Sequence, residues 1–194
     1  MRSALLVVAN PSSQSFSHAM ARAAAKILSA REWAVASHDL YAERFDPVQP
    51  TGESRTSSDP LVETHCRDLQ GADLILVFHP NWWGQPPAIM KGWIDRVFRP
   101  GVAYDYPVGA GAEAPLVGLL RARAAIVFNT SNTLPARERE VFGDPLEDLW
   151  KRCIFGACGV VTVERRIYGP MATSTPKERE AWLAEVRSAV ERYL

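Results

Sequence analysis

The chain has 194 residues, 47% of them apolar and 23% charged, which is the composition of a folded globular domain and excludes a disordered segment. Lys+Arg and Asp+Glu both number 22, so the formal net charge is zero and nothing favours nucleic acid or an anionic membrane surface as a partner. No apolar stretch approaches the ~18 residues of a membrane span, so no membrane insertion is expected; the cysteines Cys66, Cys153 and Cys158, an odd number without close pairing, fit a reducing, cytoplasmic setting.

The length suits a single domain, 1–194. Along it, apolar runs of strand length alternate with segments of helical period. Ser3 to Ala9 (SALLVVA) predicts a buried strand, and Ala19 to Leu28 an alanine-rich helix. Ala34 to Leu40 follows as a weaker strand, and Phe45 to Pro60 as a long polar loop with the character of a cover or an interface element. Val62 to Leu69 predicts a helix and Asp73 to Phe78 (DLILVF) a second strongly buried strand. Pro87 to Phe98 carries Ile89, Met90, Trp93, Ile94 and Val97 at helical spacing. Ala124 to Phe128 is the next strand, Leu146 to Ala157 the next helix, and Val160 to Ile167 the last strand before a closing helix.

Two caps support these boundaries. Asp144-Pro145-Leu146-Glu147 and Thr175-Pro176-Lys177-Glu178 each offer a side-chain oxygen at the N-cap, proline in the first turn and glutamate three residues on. Trp182, Val186, Ala189, Val190 and Tyr193 form one apolar stripe of the closing helix, suited to docking on its own sheet. Strands that alternate with helices pair in parallel. The expected fold is therefore α/β: a five-stranded parallel sheet, 2-1-3-4-5, with helices on both faces. The ligand crevice of such a sheet opens at the carboxyl ends of strands one and three.

The unusual loops of the sequence leave those ends. The first, Asn10-Pro11-Ser12-Ser13-Gln14-Ser15-Phe16-Ser17, brings hydroxyls to a helix start, where free N–H groups suit a phosphate; the same serines also suit a simple cap. It has neither a Gly-x-Gly-x-x-Gly fingerprint nor a P-loop lysine. The second, His79-Pro80-Asn81-Trp82-Trp83-Gly84-Gln85, sets two indoles beside a glycine. A third strand ends in Asn129-Thr130-Ser131-Asn132, all hydrogen-bonding groups. Phosphate site, aromatic wall and polar edge on one rim describe a flavin pocket. Trp93, inside a helix, reads as core packing, and His79 as a buried structural histidine. His18, His38 and His65 lack metal-ligand spacing, so no metal site is expected, and Arg137-Glu138-Arg139-Glu140 reads as a solvated charged face.

The stretch HPNWWGQPPAIMKGWIDRVFRPGVAY resembles the flavodoxin-like NAD(P)H:quinone oxidoreductase family, whose pattern is approximately H/F-P-L-Q-W-x-x-x-P-A-x-L-K-x-W-x-D/E-R-V-F followed by Phe/Val-Ala-Tyr. The resemblance continues at Asp39-Leu40-Tyr41-Ala42 with Phe45-Asp46-Pro47, and at Ser15-Phe16-Ser17. It implies a two-electron flavoenzyme, a homodimer, that takes hydride from NAD(P)H on a flavin (FMN or FAD, undecided) and reduces a quinone-like acceptor. No side chain is assigned as catalytic acid or nucleophile, because the flavin carries the hydride chemistry. By position, Asn10, Ser15, Phe16 and Ser17 would hold the flavin's phosphate and ribityl end. Pro80, Asn81, Trp82, Trp83 and Gly84 would lie along the isoalloxazine, and Asn129, Thr130, Ser131 and Asn132 would meet its pyrimidine side.

Departures from the pattern bear on the acceptor. Asn10 stands for a histidine, Ser131-Asn132 for Gly-Gly, and Ala136 and Phe142 for the tyrosine and histidine that the animal enzymes use on quinones. The rival readings are a flavin- or nucleotide-binding regulatory subunit and a one-electron carrier.

Overall fold

Uniformly apolar strands need cover on both faces, and the computed structural model, which describes every residue except Ala110 and Ala112, supplies it. In chain order the first half comprises β1 (Ser3–Val8), α1 (Phe16–Ala30), β2 (Ala34–Asp39), α2 (Pro60–Gly71), β3 (Leu74–Pro80) and α3 (Ala88–Val97). The second comprises the two-residue strands β4 (Tyr104–Asp105) and β5 (Val117–Gly118), then β6 (Ala124–Thr130), α4 (Pro135–Phe142), α5 (Pro145–Asp148), β7 (Thr162–Tyr168) and α6 (Pro176–Glu191). A π-helical segment, Leu149–Gly156, continues α5. The main sheet is parallel with the order β2-β1-β3-β6-β7, the arrangement expected; β4 and β5 form a separate antiparallel pair that the sequence did not announce.

Every residue of β3 and β6 is buried, as their central places demand. Alternate side chains feed two cores. Leu5, Val7, Ile75, Val77, Ala125 and Val127 meet α2, α3 and the π-helical segment through Cys66, Met90, Trp93, Trp150 and Phe155. Leu6, Val8, Leu76, Phe78, Ile126 and Phe128 meet α1 and α6 through Met20, Ala24, Leu28, Val186 and Val190. Each large side chain so buried contributes about 1.5–3 kcal/mol. Trp93 is fully buried, as expected, and its indole N–H donates to His65 Nδ1 at 2.9 Å.

The loop between β2 and α2 is a cover. A Cβ at Gly92 would overlap the backbone of Pro47, so the loop lies directly on α3. Arg96 holds it there, donating to Glu53 at 2.8 and 2.9 Å and to the Asp46 carbonyl at 2.8 Å.

Three details correct the sequence reading. Thr175 and Glu178 form the expected capping box, but Asp144 does not cap α5. Its backbone is left-handed (φ 47°), and its carboxylate instead pairs with Arg165 at 2.8 Å. The charged run Arg137 to Glu140 lies in helix α4, and Glu138 is buried. His38, Glu43 and His65, scattered in sequence, come together with the imidazole rings stacked 3.7 Å apart.

Hydrogen bonds account for that last cluster. The indole of Trp93 occupies His65 Nδ1, so Nε2 carries the proton and donates to Glu43 at 3.1 Å. Both nitrogens of His38 face carboxylates, Glu43 at 2.8 Å and Asp68 at 2.9 Å. Burial works to lower the His38 pKa, but its hydrogen bonds to those carboxylates prevail and raise it. Burial likewise opposes the charge of Glu43, yet the two imidazoles hold its pKa down at about 2. Among the described residues no helix is long and apolar enough to cross a membrane.

Candidate functional site

Parallel pairing aligns the carboxyl ends of the central strands. Val8 lies beside Phe78, Pro80 beside Thr130, and Thr130 beside Tyr168, so the loops after β1, β3, β6 and β7 leave one rim.

The loop after β1 prepares a helix start. Asn10 Oδ1 accepts from the Ser12 N–H at 3.0 Å, folding the chain toward α1. Ser15 is the N-cap, and its hydroxyl lies 2.8 Å from His18 Nδ1, while His18 Nε2 lies 2.8 Å from Asp39. No acidic side chain occupies the first turn of α1, so its N–H groups present uncompensated positive potential. Ser17 is fully buried there, and its hydroxyl has no partner among the described residues. Phe16 turns the other way, edge-on to Tyr168 and Trp182.

The loop after β3 is a tight reversal. The Asn81 N–H donates to the Thr130 carbonyl at 2.7 Å, tying the loop to β6. Trp82 and Gln85 exchange backbone hydrogen bonds at 3.0 Å in each direction, and the residues between them, Trp83 (φ 57°) and Gly84 (φ 71°), are both left-handed. That is a type I′ turn, which normally takes small residues. Asn81 Oδ1 accepts from the Gly84 N–H at 2.9 Å and braces it. Glycine is required at 84 by its φ and because a Cβ there would approach Pro145 Cγ to 2.8 Å. Trp83 has no such excuse: a bulky residue held left-handed costs about 1–2 kcal/mol, and its indole gains nothing from this chain, being 102% exposed beside a 44% exposed Trp82.

The loop after β6 faces that turn. Ser131 accepts from the Thr133 N–H at 3.0 Å and donates from its hydroxyl to Glu138 at 3.1 Å. Asn132 Oδ1 accepts from the Ala172 N–H at 2.9 Å. Between the two loops lies a cavity of about 470 Å³, with Asn81, Trp83 and Gly84 on one side and Ser131, Asn132 and Thr133 on the other; Glu138, Phe142 and Pro145 complete its lining.

Residues 2–194 match the family model described as flavodoxin-like fold. The chain belongs to the flavodoxin-like family. It is 30% identical over 186 residues to the uncharacterized NAD(P)H oxidoreductase of Haemophilus influenzae, a similarity covering 92% of this chain and 89% of that protein. It is 36% identical over 129 residues to NAD(P)H dehydrogenase (quinone) 1 of Cavia porcellus, covering 55% of this chain and 46% of the relative, so the match spans about half of that longer protein. The crystal structure of Smu.1420 from Streptococcus mutans superposes with a TM-score of 0.84 at 28% identity, over 98% of this chain and 99% of that one.

Beneath the rim of this flavodoxin-like sheet a buried polar chain fixes the loops. Arg165, on β7, is held by Asp144 at 2.8 Å and Glu147 at 3.1 Å, and donates through Nε to Asn129 Oδ1 at 2.7 Å. The Asn129 amide donates to His79 Nε2 at 2.8 Å, and the Trp150 indole donates to the same nitrogen at 3.0 Å. Two donors on Nε2 place the ring proton on Nδ1, which donates to the Pro80 carbonyl at 2.8 Å. Burial pushes the His79 pKa down to about 4, with Arg165 adding to the effect and the Pro80 bond opposing it. His79 is therefore neutral and structural, as expected.

The sequence-predicted residues divide accordingly. Asn81, Trp83, Gly84, Ser131 and Asn132 meet at the cavity. Asn129 and Thr130 belong to β6 and are buried, with the Asn129 amide committed at both ends. Asn10, Ser15 and Ser17 gather at the α1 start, where Ser15 is already engaged as cap. Glu138 and Arg165 escaped the sequence reading: neither carries a local signal, because their partners lie on other elements.

Proposed function

We propose that this chain is a flavin-dependent NAD(P)H oxidoreductase, a homodimer, that passes two electrons to a quinone or a similar small aromatic acceptor. The observation that carries the reading is the facing of the two loops. A strained type I′ turn spends its energy to hold one indole in solvent at the mouth of a cavity whose opposite wall is polar. Strain of that kind concentrates at binding sites, and a cavity of about 470 Å³ is of the size that small ligands fill. NAD(P)H oxidoreductases among the relatives support the same activity.

The residues fit the group. The α1 start, with its unopposed N–H groups and the unpartnered Ser17 hydroxyl, is suited to the flavin phosphate. Asn10 and Ser15 shape the approach to it, while Phe16 anchors the helix start against Tyr168 and Trp182. Pro80, held through its carbonyl by His79, and Asn81 fix the turn that presents Trp82 and Trp83 to a flat ring. Ser131 and Asn132 offer the polar edge. When bound, a flavin would accept hydride from NAD(P)H and return two electrons to the acceptor; the protein's part is position, dryness and polarity.

The test is direct. The purified protein, alone or after incubation with FMN or FAD, should be yellow, should bleach on anaerobic addition of NADH or NADPH, and should regain colour with a quinone. A yellow protein that does not bleach would be a sensor or carrier, and a protein that takes up neither flavin ends the proposal. Sedimentation equilibrium reads the dimer, toward which the exposed Leu134 and Val141 and the exposed, cavity-lining Phe142 contribute apolar surface.

A further inference from the structure

Glu138 is a cavity residue without a full set of partners. It is 4% exposed, yet it lines the cavity together with Asn81, Trp83, Ser131 and Thr133. One of its oxygens accepts from the Ser131 hydroxyl at 3.1 Å. The other makes no hydrogen bond among the described residues and is not sealed in, so it opens to the cavity, and no cation pairs with the group there. The comparably enclosed carboxylates are treated differently: Asp144 pairs with Arg165 at 2.8 Å and Glu53 with Arg96 at 2.8 Å. A carboxylate enclosed except toward the cavity, with one oxygen open there, is placed to take a donor from whatever fills that cavity.

Three of the neighbouring side-chain oxygens already accept a backbone N–H. Asn81 Oδ1 serves the Gly84 N–H, Asn132 Oδ1 serves the Ala172 N–H, and Ser131 Oγ serves the Thr133 N–H. Glu138 is the carboxylate of this lining, a stronger acceptor than the half-used amide oxygens or the Thr133 hydroxyl. The pyrimidine edge of an oxidised isoalloxazine presents carbonyl, N–H, carbonyl in a row, and it needs one acceptor between two donors. Loop N–H groups are common donors; the acceptor is the scarce element.

We propose that Glu138 accepts the N3–H of the isoalloxazine, and so selects the pyrimidine edge of the ring. The inference rests on the flavin reading above, and the experiment separates the two. FMN, FAD and their 3-methyl derivatives, which lack the N3–H, are titrated by fluorescence into wild type, Glu138→Ala and Glu138→Gln, with far-UV circular dichroism confirming that each is folded.

Wild type should prefer the unmethylated flavin by about 10- to 100-fold, the size of a hydrogen bond to a charged group. Glu138→Ala should lose that preference. Glu138→Gln, of the same size and with only a neutral acceptor, should show an intermediate one. Wild type that binds both forms equally overturns the assignment and leaves the flavin reading standing. So does a Glu138→Gln preference equal to that of wild type, which would make the discrimination steric. A preference that survives in Glu138→Ala places the acceptor elsewhere. A wild type that binds neither FMN nor FAD removes both proposals together.

Discussion

The side-chain amide of Asn129 donates to His79 Nε2 at 2.8 Å, joining the ends of the two central strands directly under the cavity. The same side chain accepts from Arg165 Nε at 2.7 Å, so one residue links a neutral histidine to a buried guanidinium. Asn129→Leu keeps the volume and removes both partners. Arg165 Nε loses its acceptor and His79 Nε2 one of its two donors, an unmet demand of about 2–4 kcal/mol. Urea unfolding should show that loss, and a change below about 1 kcal/mol would mean the chain is not the brace described.

His79 also sets an acid limit. Its pKa falls from 6.5 in the unfolded chain to about 4 in the folded one. A histidine held neutral contributes stability that is complete above the unfolded value and is lost as pH falls through the folded one, so the window runs from about pH 6.5 to 4. The difference corresponds to roughly 3 kcal/mol by linkage. His38, whose pKa is raised, works in the opposite sense, contributing stability below 6.5 that is lost as pH rises through its folded value. Urea midpoints of wild type measured across the acid window should fall steeply. Those of His79→Gln should start lower at pH 7 and fall less.

The sequence made the sheet legible and left the polar chemistry under it hidden, for a physical reason. Apolar strands such as SALLVVA and DLILVF declare themselves locally, because burial on both faces demands unbroken hydrophobicity. The pattern stops at Phe128, yet β6 runs on to Thr130, because Asn129 is satisfied by Arg165 and His79, 36 and 50 residues away. Glu138 sits among alternating charges that suit a solvated helix, yet it is buried and takes a hydrogen bond from Ser131, seven residues earlier on the loop after β6. Asp144 looked like a cap because Pro145 and Glu147 follow it; Arg165, invisible at that range, takes its carboxylate. The rim and its loops were readable. The partners that orient them were not.

Trp83 should be dispensable to the fold and needed by the ligand. Asparagine tolerates the left-handed region better than tryptophan, and a fully exposed indole leaves no packing to lose. Trp83→Asn should therefore unfold at an equal or slightly higher urea concentration, a gain of up to about 1 kcal/mol. Its flavin affinity should fall several-fold in the same preparation. A stability loss above about 1 kcal/mol would show that the indole supports the fold and that the strained turn has no claim to a ligand.

Ser17 gives the complementary case at the other end of the site. Its hydroxyl is buried without a partner among the described residues, which is destabilising in the free protein by about 1–3 kcal/mol. Ser17→Ala removes that unmet group and should raise the urea midpoint of the flavin-free protein. If the hydroxyl donates to the flavin phosphate, the same variant should lose FMN affinity while its weaker binding of riboflavin, which has no phosphate, stays unchanged. Parallel titrations of both ligands decide the matter. Equal losses for FMN and riboflavin would move Ser17 from the phosphate to the ring, and no loss for either would leave its hydroxyl outside the site altogether.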